Sequence, residues 1–144
     1  MRALSLLAAC VLVLPSVIFG QSSDDPKKEI LGTWRGQMLN NDGSPQGEIQ
    51  LEITEDTITA TNPRGGQVMG AGTYRVSSSS AKKKRIDATG TSGQFQRKKY
   101  EGIFSIEGKT LKWCSANDRP DSKRPTELKT NTQQGQFLMV LDKQ

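Results

Sequence analysis

The sequence contains no histidine. That absence removes the commonest zinc ligand, the commonest general base and every Ser–His or Cys–His nucleophile pair. Cysteine is nearly as scarce, with two residues, Cys10 and Cys114. Aromatic residues make up 6% and hydrophobic residues 33% of the 144-residue chain, a thin supply for a packed interior. After the first twenty residues no apolar stretch of about 18 residues occurs, so nothing there has the length of a membrane-spanning helix. A helical hydrophobic period, an internal repeat and a spaced Asp/Asn/Gly loop of the calcium type are also missing. These absences point away from catalysis and from any cofactor or metal.

The chain opens with MRALSLLAACVLVLPSVIFG, one Arg followed by an apolar run that ends before the polar QSSDDPKK. This is the layout of a secretory signal peptide over residues 1–20, which places the mature protein in the periplasm, in the cell envelope or outside the cell. Leu7-Ala8-Ala9-Cys10 also has the form of a bacterial lipoprotein box. Cleavage before Cys10 would leave the apolar VLVLPSVIFG downstream, the wrong way round for a processing boundary, so removal of the whole segment is preferred. Residues 21–29 are polar and aperiodic and read as a flexible leader. A single domain over residues 30–144 follows. Removing residues 1–20 leaves 124 of the 144 residues, about a quarter of them from the set AVILMFWYC. Cys114 is then the one cysteine left, so no internal disulfide can form.

The pattern of the remaining chain is all-β. Candidate strands are Ile30–Leu39, Glu48–Thr54, Thr57–Asn62, Val68–Val76, Arg85–Thr89, Phe95–Ile106, Thr110–Ser115, Thr126–Thr130 and Gln136–Lys143. EIQLEIT is the clearest, because Ile49, Leu51 and Ile53 share one face while Glu48, Gln50, Glu52 and Thr54 share the other. Glu55-Asp56 and Glu107-Gly108 stand where tight hairpin turns are needed, and Gly108 can take a positive φ without steric cost. Eight or nine short strands joined this way predict an antiparallel up-and-down meander that closes into a barrel, since closure removes exposed edges. A flattened β-sandwich is the alternative.

Few residues stand out for function. Trp34, Tyr74, Phe104 and Trp113 are the candidates to line a cavity for a small apolar ligand. Trp34 sits between Gly32 and Gly36 on one face of its strand, where the glycines make room for its ring, and closure of one barrel end is its more frequent role. In YEGIFSIEGKTLKWC, residues Tyr100, Phe104 and Ile106 share a face with Gly102, and Leu111 and Trp113 continue it. Cys114 then points outward, where it is either a small covered hydrophobe or the site of an intermolecular disulfide. The formal net charge of +5 is concentrated in Lys82, Lys83, Lys84 and Arg85 and in Arg97, Lys98 and Lys99. A hairpin between these segments would bring both clusters to one sheet region, as a solvated edge or as a patch for an acidic polysaccharide or protein partner. Nucleic acid is disfavoured by export and by the lack of aromatic residues among the lysines.

Taken in order, LGTW (Leu31–Trp34), GTY (Gly72–Tyr74), YEGIFSIEGKTLKWC, RPTEL (Arg124–Leu128) and FLMVLDK resemble the uncharacterised lipocalin-like domain of secreted planctomycete proteins. The resemblance runs over residues 30–143 and implies an all-β, lipocalin-like barrel in a family without an established activity. Gly32-Thr33-Trp34 is also similar to the G-x-W start of the wider lipocalins, with Lys143 where those proteins carry an arginine on the last strand. The expectation is an exported, non-catalytic interaction or structural module, with a small-ligand binding barrel as the alternative.

Overall fold

The computed structural model describes residues 25–80 and 83–144. Eight antiparallel strands close into one barrel in which every strand pairs with its sequence neighbours and the last pairs with the first. They are β1 (Gly32–Leu39), β2 (Pro45–Ile53), β3 (Thr57–Asn62), β4 (Gln67–Ser80), β5 (Lys83–Gly90), β6 (Lys99–Glu107), β7 (Thr110–Ala116) and β8 (Gln136–Lys143). The meander is therefore a closed barrel and not the alternative sandwich. Closure depends on Gly36, opposite Leu141 in the β1–β8 register. A Cβ there would run into the β8 backbone, 2.9 Å from Leu141 Cα. Gly36 thus makes room for the neighbouring strand, not for the Trp34 ring.

The up-and-down order puts two different sets of connections at the two ends. One end carries the tight turns 54–56 and 108–109, where Thr54 N–H donates to Thr57 O at 2.9 Å and Gly108 has φ 60°. The other end carries the longer segments 40–44, 63–66, 91–98 and 117–135. At the first end the chain enters through a single helical turn, α1 (Pro26–Ile30), with Asp25 as its cap accepting from Lys27 N–H. The folded part therefore begins before Ile30, and the expected leader is ordered from Asp25 onward. Its reason is packing: Ile30 is fully buried, Ile30 O accepts from Trp34 Nε1 at 2.8 Å, and Glu29 pairs with Lys84 on β5. The segment expected as a signal peptide, with Cys10, lies outside the described residues.

Two segments expected as strand, Phe95–Lys98 and Thr126–Thr130, are not strand. Phe95–Lys98 belongs to a loop over residues 91–98 with a short 3-10 turn, Gly93–Phe95, and Arg97 adopts φ 67°, a left-handed conformation that ends an extended run. This loop folds back across β4, with the N–H groups of Thr91 and Ser92 both donating to Ala71 O. Residues 126–130 belong to a long strap, residues 117–135, crossing the outer face of the barrel. Thr130 Oγ1 donates to Leu39 O at 2.8 Å and accepts from Leu138 N–H. Arg124 donates to Gly102 O at 2.9 Å and to Asp87 at 2.6 Å, with Glu101 3.7 Å away. Its β-branched threonine thus bonds sideways to the barrel rather than along a ladder.

Inside, along β3, β4 and β5, side-chain size falls from one end to the other. Near α1 the inward positions are large: Ile30, Trp34, Ile53, Tyr74, Ile86, Phe104, Leu111 and Leu141 are all buried. Toward the loop end the inward register passes through Ala60 opposite Gly70, Gly72 opposite Gly90 and Gly102 opposite Ser115. An eight-stranded barrel has just enough interior to be filled by side chains; Gly70 and Gly90 admit the loop that carries Phe95, and the small side chains of Ala60, Ala88 and Ser115 leave space beside it.

Candidate functional site: a one-ended apolar cavity

That space is a cavity of about 330 Å3 in the loop-end half of the barrel. Its wall is uneven. One side is aliphatic and thin, from Met38, Ile49, Leu51, Ala60 and Met69 with Gly70 and Gly72. The other is aromatic, from Phe95, Tyr100, Trp113 and Phe137. Tyr100 stands edge-to-face with both Phe95, at 6.1 Å between ring centres, and Phe137, at 6.3 Å. Such T-shaped contacts fix ring orientation. Phe95 is carried by the loop that folds over β4, so the chain between β5 and β6 builds one wall of the cavity. Among the described residues, polar side-chain groups on the lining belong to Thr89, Gln94, Tyr100, Trp113, Ser115 and Asn117, and no charged side chain lines the space.

Trp113 stands on the cavity wall. Its indole N–H has no hydrogen-bond partner among the described residues, and the ring lies over Gly102, where a Cβ would come within 2.7 Å of Nε1. Trp34, Tyr74 and Phe104 are not cavity residues. They belong to the filled end, because each is already engaged or tightly packed. Trp34 is bonded to Ile30 O and faces Lys143, whose ammonium stands 5.3 Å from the ring centre, a cation–π contact. Tyr74 donates its hydroxyl to Thr54 O at 2.6 Å, and burial together with Asp56 and Glu55 pushes its pKa up. Phe104 is 2% exposed and lies under Lys84, 6.0 Å from its ring.

The residues that sequence reasoning missed are mostly continuations of faces it did identify. Stepping by two from Trp34 leads to Met38 and from Phe104 to Tyr100, whereas Met139 and Phe137 share a face with Leu141 on a strand whose faces were not assigned. The small residues Ala60 and Ala88 carry no such signal, since a site made by missing volume leaves no conspicuous side chain.

The basic clusters are not brought together. Lys84 sits opposite Phe104 and Thr89 opposite Lys99 along the same β5–β6 ladder, so Lys84 and Lys99 are separated by about 17 Å at ~3.4 Å per residue. Lys84 moreover faces inward and is paired with Glu29. Arg97 and Lys98 lie in the loop before β6, and Lys82 and the Lys83 side chain fall outside what is described. The reason is topological: the expected hairpin joins opposite ends of two antiparallel strands. Cys114 does point outward, but the strap covers it. It is fully buried, its thiol donates to Lys129 O at 3.2 Å, and burial raises its pKa despite that hydrogen bond. A thiol held this way is not placed for an intermolecular disulfide.

Among the described residues no group of three metal-ligating side chains is assembled, and no helix is long and apolar enough to cross a membrane. Compared with models of protein families, with curated proteins and with solved structures, the chain matches none.

Proposed function

We propose that this protein is an exported binding barrel that takes up a small, largely apolar molecule in the loop-end cavity. The observation that carries the reading is the cavity itself: about 330 Å3 of space beside a fully packed half-barrel. That volume lies at the lower end of the range for small-molecule sites, roughly 300–1,000 Å3. At ~30 Å3 for a water-sized unit it has room for about ten to twelve non-hydrogen atoms. A ligand that covers these apolar walls takes them out of water, a gain for a chain with a thin apolar supply. Binding, not catalysis, is the role proposed. Membership in the lipocalin-like secreted domains that the sequence resembles is part of the same proposal, supported by Trp34 closing one end against Lys143. The competing reading, a module that binds acidic partners through its surface, loses support because its two basic clusters stand at opposite ends of β5 and β6.

Native mass spectrometry of protein purified from its own host tests the proposal. A retained small molecule that disappears in Ala60→Phe, which fills the cavity from β3, supports it. Repeated recovery of unliganded wild-type protein, with no added apolar probe retained either, contradicts it.

A further inference from the structure

The cavity is chemically graded from its floor to its loop end, and on the reading that it is a binding site this gradient defines what it would hold. Toward the filled end its lining is apolar: Leu51, Ile58 and Met139 are all buried. Two polar groups on the wall are closed to an occupant. Trp113 Nε1 is buried against Gly102, and Ser115 is 1% exposed, with its hydroxyl directed at Ala116 O. The polar lining residues that keep some exposure, Thr89, Gln94, Tyr100 and Asn117, all stand at the loop end. Thr89 is next to the last residue of β5, Tyr100 is second in β6, Gln94 lies in the connection between them, and Asn117 opens the strap. Accessible amides and hydroxyls therefore rim an apolar floor.

Charge is absent from both levels. Among the described residues no Lys, Arg, Asp or Glu lines the cavity, and the inward-directed Lys84 and Lys143 are engaged at the filled end, with Glu29 and over the Trp34 ring. Burial and the nearby Asp118 push the Tyr100 pKa up, so its phenol stays uncharged too. A carboxylate or an ammonium drawn inside would surrender its hydration with no opposite charge to meet it, whereas an uncharged polar group at the rim can exchange water for an amide. Both rim amides are held in place. The loop of Gln94 is fastened to the barrel by Thr91 and Ser92 N–H on Ala71 O, by Ala71 N–H on Ser92 Oγ at 3.1 Å and by Gly90 N–H on Lys98 O at 2.8 Å. Asn117 N–H donates to Gly135 O at 2.9 Å, and its Oδ1 accepts from Ser122 Oγ at 2.7 Å, which leaves its NH2 to donate.

We propose that the cavity selects an uncharged molecule of about ten to twelve non-hydrogen atoms, with its apolar body on the floor and any polar group at the rim beside Gln94 and Asn117, and that it rejects organic ions of the same size. The test is calorimetric titration at pH 7 of four probes that share a benzene ring and a four-carbon chain: butylbenzene, butyrophenone, 4-phenylbutyrate and 4-phenylbutylammonium. Each is run on wild type, Gln94→Lys and Gln94→Glu. Wild type should bind both uncharged probes at least about tenfold more tightly than either ion, for want of a countercharge. Gln94→Lys should raise the affinity of 4-phenylbutyrate relative to butylbenzene at least about fivefold, and Gln94→Glu should do the same for 4-phenylbutylammonium, because a charge set at the rim meets the ionic end. Gln94 is exposed, so neither substitution disturbs the core. An ion that binds wild type as tightly as the uncharged probes overturns the selection, and charges at position 94 that leave both ratios unmoved overturn the placement at the rim; either result leaves the binding reading standing. Failure of all four probes to bind wild type overturns the binding reading itself.

Discussion

The two tryptophans of this chain should respond unequally to the same substitution. Trp34 and Trp113 are both buried, at 1% and 5% exposure, but the first has its N–H bonded to Ile30 O at 2.8 Å and the second has no partner among the described residues. Replacing either indole by phenyl removes apolar area equivalent to about two methylene groups, or about 1.5–2 kcal/mol. In Trp34→Phe the Ile30 carbonyl additionally loses its donor in a buried position, which costs about 1–3 kcal/mol more. The total is about 2.5–5 kcal/mol. In Trp113→Phe the sign of the second contribution reverses, because an unsatisfied buried N–H is deleted, and the net change falls within about 1 kcal/mol of zero. Urea unfolding followed by the fluorescence of the remaining tryptophan measures both, on protein refolded without added ligand, with equal m-values required for the comparison. A Trp113→Phe variant that loses as much stability as Trp34→Phe would show that the indole N–H is paired after all and refute the reasoning.

Other expectations follow from the strap and the filled end. Cys114 should resist an aqueous thiol reagent in the native protein at pH 8 and react fully in denaturant, since it is buried with a raised pKa; rapid native labelling would show that the strap does not cover it. Arg124→Ala removes the clamp on Asp87 and Gly102 O and should raise the native labelling rate of Cys114 several-fold while lowering stability by about 1–2 kcal/mol. Gly102→Ala places a methyl group against the Trp113 indole and should cost about 1–3 kcal/mol by overpacking, read as a lowered Tm.

Much of the fold was legible because each strand carries its own alternation. Thr57–Asn62 and Gln136–Lys143 appear in the structure with the bounds that the pattern predicts, and EIQLEIT buries Ile49, Leu51 and Ile53. Phe95–Lys98 misled because an aromatic residue heads a run that leads straight into the strand from Lys99, whereas Arg97 turns left-handed and Phe95 is needed to wall the cavity. Thr126–Thr130 misled because β-branched residues suit a strand and also suit a strap whose hydroxyls reach neighbouring carbonyls. The candidate site was less legible. Which end of a barrel is filled depends on how inward residues from eight strands meet at one level, and that register is not written in any one strand. Trp34, Phe104 and Trp113 look alike in sequence; the neighbours Ile30, Lys84 and Gly102 decide which of them faces space.

The most direct measurement of the central claim is amide chemical-shift mapping of the isotope-labelled protein titrated with butyrophenone. The account predicts saturable shifts at Ala60, Gly72, Ala88, Tyr100 and Met139, in the loop-end half, with Ile30, Trp34, Tyr74 and Leu141 unmoved at the filled end. No saturable shifts, or shifts confined to the outer faces of the strands, would contradict it.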